Sequence, residues 1–174
     1  MTASRMTAAR VRSLSVTLMT AILIASALRP PLQAIERKAL PDFPIAALDG
    51  ATAKSGAIVV PGPWLLIYVQ QGCAPCDTLV QLLADEHASL EGRVAIVIGG
   101  VNAAEAAKLA ANFPTLAAAR WYADQSNALL RALPAAGAPV VYGLRENMVE
   151  WSLNGVVPDA ASYRTTLRSW VGAP

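Results

Sequence analysis

The chain has 174 residues, enough for one domain with a full hydrophobic core. Its 14 basic and 12 acidic residues give a formal charge of +2. Three of the basic residues, Arg5, Arg10 and Arg12, belong to the N-terminal leader, and setting them aside leaves 11 against 12, a net of −1. The rest of the chain therefore has no positive excess to attract nucleic acid or an anionic lipid surface.

The same three arginines precede an uncharged run, 13–28, that ends before Arg29, and Ala25-Ser26-Ala27 supplies a small-residue cleavage pattern. A basic start, a short apolar core and an A-x-A site describe a secretory signal over 1–27. The run of 16 residues falls short of the roughly 20 that a spanning helix needs. Cleavage is therefore favoured over retention as an N-terminal anchor. Either way the domain is expected in the periplasm or cell envelope, with membrane contact only through this segment. No cysteine follows the run at a lipidation distance.

Residues 28–38 read as a linker, because Pro30-Pro31 resists regular structure. The folded domain is expected over 39–174, opening at Leu40-Pro41-Asp42-Phe43-Pro44. Asp49-Gly50 and Pro61-Gly62-Pro63 mark turns. Trp64 to Val69 reads as a buried strand. A helix is expected from near Cys73 to about His87, with Leu79, Leu82 and Leu83 on one face. Pro75 falls in its first turn, where a missing N–H costs nothing. Val94 to Ile98, apolar and β-branched, reads as a central strand. Asn102 can cap a helix through about Asn112, with Pro114 just beyond. Arg120-Trp121-Tyr122 reads as a short strand, and Ser126 to Leu133 as a short helix with Ala128, Leu129 and Ala132 inward. Pro139 to Leu144 and Met148 to Leu153 form a hairpin through Arg145-Glu146-Asn147. A last helix opens at Asp159 or Ala160 and ends near Val171. The pattern predicts an α/β domain, one mixed sheet with helices on both faces.

The chemistry concentrates at Gly72-Cys73-Ala74-Pro75-Cys76-Asp77, which holds the only two cysteines. A C-x-x-C between a strand and a helix is a redox-motif context. The helix N-terminus favours a thiolate on the first cysteine, the reactive form. A loop this short makes a poor structural staple, so a catalytic couple explains the pair better. Half of a metal site is the rival reading. It lacks ligands, because His87 lies nearly three helical turns beyond Cys76. His87 reads as a helix-end residue, and Trp64, Trp121, Trp151 and Trp170 as packing. Asp85, Glu86, Glu91 and Arg93 read as a solvated charged surface. No Ser-His-Asp set, phosphate loop or dinucleotide fingerprint is present.

Three segments in order carry a resemblance. Leu40-Pro41-Asp42-Phe43 with Leu48-Asp49-Gly50, the strand with its C-x-P-C, and Gly137-Ala138-Pro139-Val140-Val141 together resemble the thioredoxin superfamily, specifically the exported TlpA/ResA-like thiol-disulfide oxidoreductases. The resemblance spans about Ala39 to Val171 and implies a thioredoxin-like fold, a central mixed β-sheet flanked by helices on both faces. It implies Cys73 as the exposed attacking thiol and Cys76 as the buried resolving thiol. It implies a cis bond before Pro139 that sets Ala138 against the dithiol, with Ala138, Pro139, Ala74 and Pro75 as the substrate-contacting surface. No organic cofactor and no metal are implied. The implied partners are exported proteins carrying disulfides or dithiols, with a membrane thiol reductase as electron donor. A peroxiredoxin would need a Pro-x-x-x-Thr-x-x-Cys setting, which neither cysteine has. A non-catalytic interaction or assembly module, or less readily a thiolate metal carrier, is the alternative. The chain departs from the family at Gly72, where a tryptophan is usual, at Ile67, where a buried acid or asparagine is usual, and at Asp77, where lysine is frequent. These departures bear on rate, redox potential and partner choice. Gln70 and Gln71 are expected to line the approach to the dithiol.

Overall fold

Seven successive buried residues, Pro63 to Val69, place their strand in the middle of the sheet. The computed structural model describes residues 33–172 except 59, 91, 134, 157 and 158, and for 33–36 the backbone alone. The leader, 1–27, and the first part of the expected linker lie outside the described residues.

Among the described residues eight strands form one mixed sheet. They are β1 (Gln33–Ala39), β2 (Pro44–Ala47), β3 (Thr52–Lys54), β4 (Pro63–Gln70), β5 (Val94–Gly99), β6 (Arg120–Asp124), β7 (Val140–Arg145) and β8 (Met148–Asn154), in the spatial order β1-β8-β7-β4-β5-β6-β2-β3. β4, β5 and β6 run parallel, with Ile67 opposite Ile96 and Ile96 opposite Trp121. β7 lies antiparallel to β4 and forms the expected hairpin with β8. The helices are α1 (Ala74–Asp85), α2 (His87–Leu90), α3 (Ala103–Ala110), α4 (Ala128–Ala132) and α5 (Ala160–Val171).

Alternation along β4 divides the core in two. Leu65, Ile67 and Val69 pack with Leu79 and Leu83 of α1, Ala106 of α3 and Leu167 of α5. Trp64, Leu66 and Tyr68 pack on the opposite face with Leu129 of α4, Leu133 and the opening residues Leu40, Phe43, Ile58 and Val60. Each large apolar side chain buried this way contributes about 1.5–3 kcal/mol. Local signals set the helix ends. Asn102 and Glu105 form a reciprocal capping box on α3, each bond 3.0 Å, and Asp159 accepts from Ala161 N to open α5. Trp64 and Trp121 are buried, and Trp151 meets Trp170 edge-on at 5.5 Å, so the four tryptophans are packing residues.

Two expectations are corrected. The expected linker 28–38 contains strand β1, which pairs antiparallel with β8, Lys38 opposite Val149 and Ala39 opposite Met148. Its charges suit an edge strand, and Arg37 Nε donates to Glu150 across the pair at 2.7 Å. The second correction concerns the charged stretch after α1. Glu86 is only 4% exposed, so it is no solvated surface residue. It ends α1 two residues earlier than expected, and His87 begins α2. Its carboxylate accepts from Arg168 Nε and, at 2.7 Å, from Arg168 Nη2, with Arg164 at 3.5 Å. Those bonds hold its carboxyl below the usual range, against the opposing effect of burial. Arg93 donates to the Pro61 and Pro63 carbonyls.

Candidate active site

β4 ends at Gln70, and the chain turns through Gln71 and Gly72 straight into α1. Gly72 sits at φ +71°, a left-handed conformation that glycine adopts without cost. A residue with a side chain would be strained there. Cys73 is the N-cap of α1, in extended conformation, and its Sγ accepts the Cys76 N–H at 3.3 Å. Its carbonyl takes the Cys76 N–H at 2.8 Å and the Asp77 N–H at 3.2 Å. Pro75, in the first turn, has no N–H to satisfy.

Cys73 and Cys76 are joined by a disulfide, their Cα atoms 5.1 Å apart. The two sulfurs occupy different surroundings. Cys73 is partly exposed and is followed by exposed Ala74 and Pro75, whereas Cys76 is 1% exposed within the core that holds Ile67, Val69 and Leu79. The other wall of the site is the segment leading into β7. The Ala138 carbonyl oxygen lies 3.7 Å from Cys73 Sγ. The Ala138–Pro139 peptide is cis, and the Pro139 carbonyl accepts from Gly155 N at 2.8 Å. The structure thus brings Cys73, Cys76, Ala74, Pro75 and Ala138 together, with Pro139 buried behind them.

Ile67 of β4 is fully buried and offers no proton acceptor. Asp124 is 1% exposed at the end of β6, but its carboxylate is committed, accepting from Ala128 N at 2.8 Å and Leu129 N at 2.9 Å. It therefore serves as the N-terminal cap of α4. Asp77 is exposed on the first turn of α1. His87 opens α2, beyond the far end of α1, with Nδ1 2.9 Å from the Ala84 carbonyl. Among the described residues no group of three His, Cys, Asp or Glu side chains is placed to hold a metal.

Gln70 departs from its expected place on the approach. It is half-buried, and its Nε2 donates to Asn127 Oδ1 at 3.2 Å, while Gln71 is exposed. Asn127 Oδ1 also accepts from the Tyr68 hydroxyl at 2.6 Å. Burial, and then the Asp124 charge, raise the Tyr68 pKa, so its hydroxyl is a neutral donor at neutral pH. The Gln70 main-chain N–H points at Cys76 Sγ, 3.5 Å away. Sequence spacing does not reveal this cluster, since Asn127 lies 57 residues from Gln70. The one local hint is a polar residue closing an otherwise apolar strand.

Solved structures supply the fold comparison. A secreted Mycobacterium tuberculosis disulfide oxidoreductase homologous to E. coli DsbE superposes with a TM-score of 0.58 at 16% identity, over 76% of this chain and 96% of its own. The fold is thioredoxin-like. A putative thiol:disulfide interchange protein DsbE from Chlorobium tepidum matches at TM-score 0.56 and 19% identity, covering 78% of this chain and 99% of that one. Copper-bound ScoI from Arabidopsis thaliana matches at 0.57 and 13%, covering 77% and 98%. Neither a protein-family profile nor a curated protein matches the sequence. These neighbours include both disulfide oxidoreductases and a copper-bound protein on one fold, so the function of this chain is argued from its own site.

Proposed function

We propose that this chain is an exported thiol-disulfide oxidoreductase that reduces disulfides of other envelope proteins through Cys73 and Cys76. The observation that carries the reading is the asymmetry of the pair. One sulfur is partly exposed at a helix N-terminus against the Ala138 carbonyl, and the other is sealed in the core behind it. In the reduced protein the Cys73 thiolate attacks a substrate disulfide. A mixed disulfide forms, and the departing substrate sulfur takes the electron pair and a proton. Cys76, as thiolate, then attacks Cys73 Sγ, releases the second substrate sulfur and closes the internal disulfide. The substrate gains two electrons and two protons, and the Cys73–Cys76 couple loses them. A membrane thiol reductase returns them. The exposed Ala74-Pro75 turn and the Ala138 backbone form the surface against which an extended substrate segment lies.

The test is a trapping experiment joined to a potential. Cys73→Ser should abolish exchange, and Cys76→Ala should accumulate mixed disulfides through Cys73, visible as dithiothreitol-sensitive adducts in the cell envelope. Absence of adducts with Cys76→Ala would refute the assigned roles. Equilibration of the purified domain in thiol/disulfide buffers should give a potential near or below that of thioredoxin, about −270 mV. A value near about −120 mV would make it an oxidant instead.

A further inference from the structure

When a partner thiolate attacks Cys73 Sγ of the oxidised protein, a new S–S bond forms and the Cys73–Cys76 bond breaks. The electron pair leaves on Cys76 Sγ. Cys76 is 1% exposed, so water does not solvate the charge. The Asp124 carboxylate is committed to the start of α4, and Asp77 is exposed on the first turn of α1. A buried anion without donors is costly. The polar group that faces it from the sheet is the main-chain N–H of Gln70, 3.5 Å from the sulfur.

That N–H lies on the last residue of β4, where strand pairing gives out after Gln70 opposite Gly99. A strand end frays unless something holds it. Here the Gln70 side chain is held by Asn127, which occupies the left-handed region at φ +55° and is fixed in turn by the Tyr68 hydroxyl. Asn127 N donates to the Asp124 carbonyl at 3.1 Å, so the anchor belongs to the rigid start of α4.

We propose that the Gln70 main-chain N–H is the donor that receives the charge leaving on Cys76 Sγ, and that Asn127 is the positioning residue that keeps it aimed there. This rests on the oxidoreductase reading above. A preorganised donor aimed at developing charge in a water-excluded site acts on the transition state and on the thiolate product alike. Hydrogen bonding to the thiolate favours the reduced couple. The side-chain bond between Gln70 and Asn127 is therefore part of the redox machinery, although neither side chain touches the disulfide.

The experiment uses the protein as the cell exports it, with Gln70→Met, Asn127→Gly and the double variant. Methionine keeps length without the amide. Glycine keeps the left-handed backbone without the acceptor oxygen. Dithiothreitol is the attacking thiol, glutathione sets the equilibrium, and thermal unfolding is followed separately. Each single variant should slow reduction by dithiothreitol about 3- to 10-fold. Each should also shift the equilibrium toward the disulfide by a similar factor, tenfold being about 30 mV for a two-electron couple. The double variant should fall no further than the larger single, because both break one bond. If the unaltered domain forms no reversible disulfide, the oxidoreductase reading and this proposal fall together. If it cycles normally and either single variant stays within twofold of it in rate and equilibrium, the proposal alone is overturned, even if the variant melts earlier. Effects that multiply in the double variant would also overturn it.

Discussion

The two faces of the sheet treat polar groups in opposite ways. The face that backs the disulfide is apolar around Cys76, with Ile67, Val69 and Leu79 in its core, and its one buried tyrosine there, Tyr163, makes no hydrogen bond among the described residues. Its buried carboxylate, Glu86, is ion-paired to α5 beyond the end of α1. The other face embeds a satisfied network, with Tyr68 and Gln70 on Asn127 and Asp124 capping α4. A fully bonded buried network rigidifies what it touches. The disulfide therefore lies against an apolar core that buries Cys76, while the bonded polar network lies on the other face of the sheet.

The most disruptive way to break this arrangement is a methyl group at Gly99. A Cβ there would lie 1.7 Å from the Tyr68 hydroxyl oxygen and 2.7 Å from Asn127 Oδ1. Tyr68 is fully buried and cannot swing aside. Gly99→Ala should cost about 3 kcal/mol, the upper end of ordinary overpacking, in urea unfolding. A change under about 0.5 kcal/mol would mean that the network is soft.

A smaller effect belongs to the disulfide face. Glu86→Gln removes the charge from the bonds that tie α1 to α5 and should cost about 1.5 kcal/mol at neutral pH. Because the folded carboxyl titrates below its ordinary value of about 4.5, the folded state binds this proton less readily than the unfolded state. The pair's contribution is therefore full above that ordinary value and is lost as pH falls through the lower, folded one. The stability of Glu86→Gln should fall less steeply than that of the parent between about pH 5 and pH 3. Parallel curves would place the acid sensitivity elsewhere. Arg168 is exposed, so added salt should shrink the difference.

The sequence disclosed elements whose pattern is local. An unbroken apolar run marks β4 and β5, Asn102 three residues before Glu105 marks the start of α3, and two cysteines between strand and helix mark the site. What it hid depends on partners distant in the chain. Glu36-Arg37-Lys38 after two prolines reads as linker, because only β8 turns it into a strand. Glu86 reads as surface beside Asp85, because the arginines that bury it are about 80 residues away. Gln70 reads as solvent-facing, because nothing near it announces Asn127. Local periodicity reports which side of an element is apolar and is silent on which polar side chain will find a buried partner.

The finest test of the comparison sets two tyrosine hydroxyls against each other. Tyr68 on the network face is fully buried and bonded, and Tyr163 on the disulfide face is 1% exposed and unbonded among the described residues. Burial raises the pKa of both, so both are neutral at physiological pH. Removing a bonded hydroxyl forfeits a hydrogen bond and leaves the Asn127 oxygen with one donor fewer, so Tyr68→Phe should cost about 1 kcal/mol. Removing an unbonded buried hydroxyl relieves a desolvation penalty while the ring keeps its packing. Tyr163→Phe should therefore be neutral or stabilising by up to about 1 kcal/mol. The two substitutions delete the same atom from the same residue type, so the difference in sign isolates what each face offers a polar group. Equal losses in both would mean that the Tyr163 hydroxyl is as well served as that of Tyr68, and the contrast between the faces would fail.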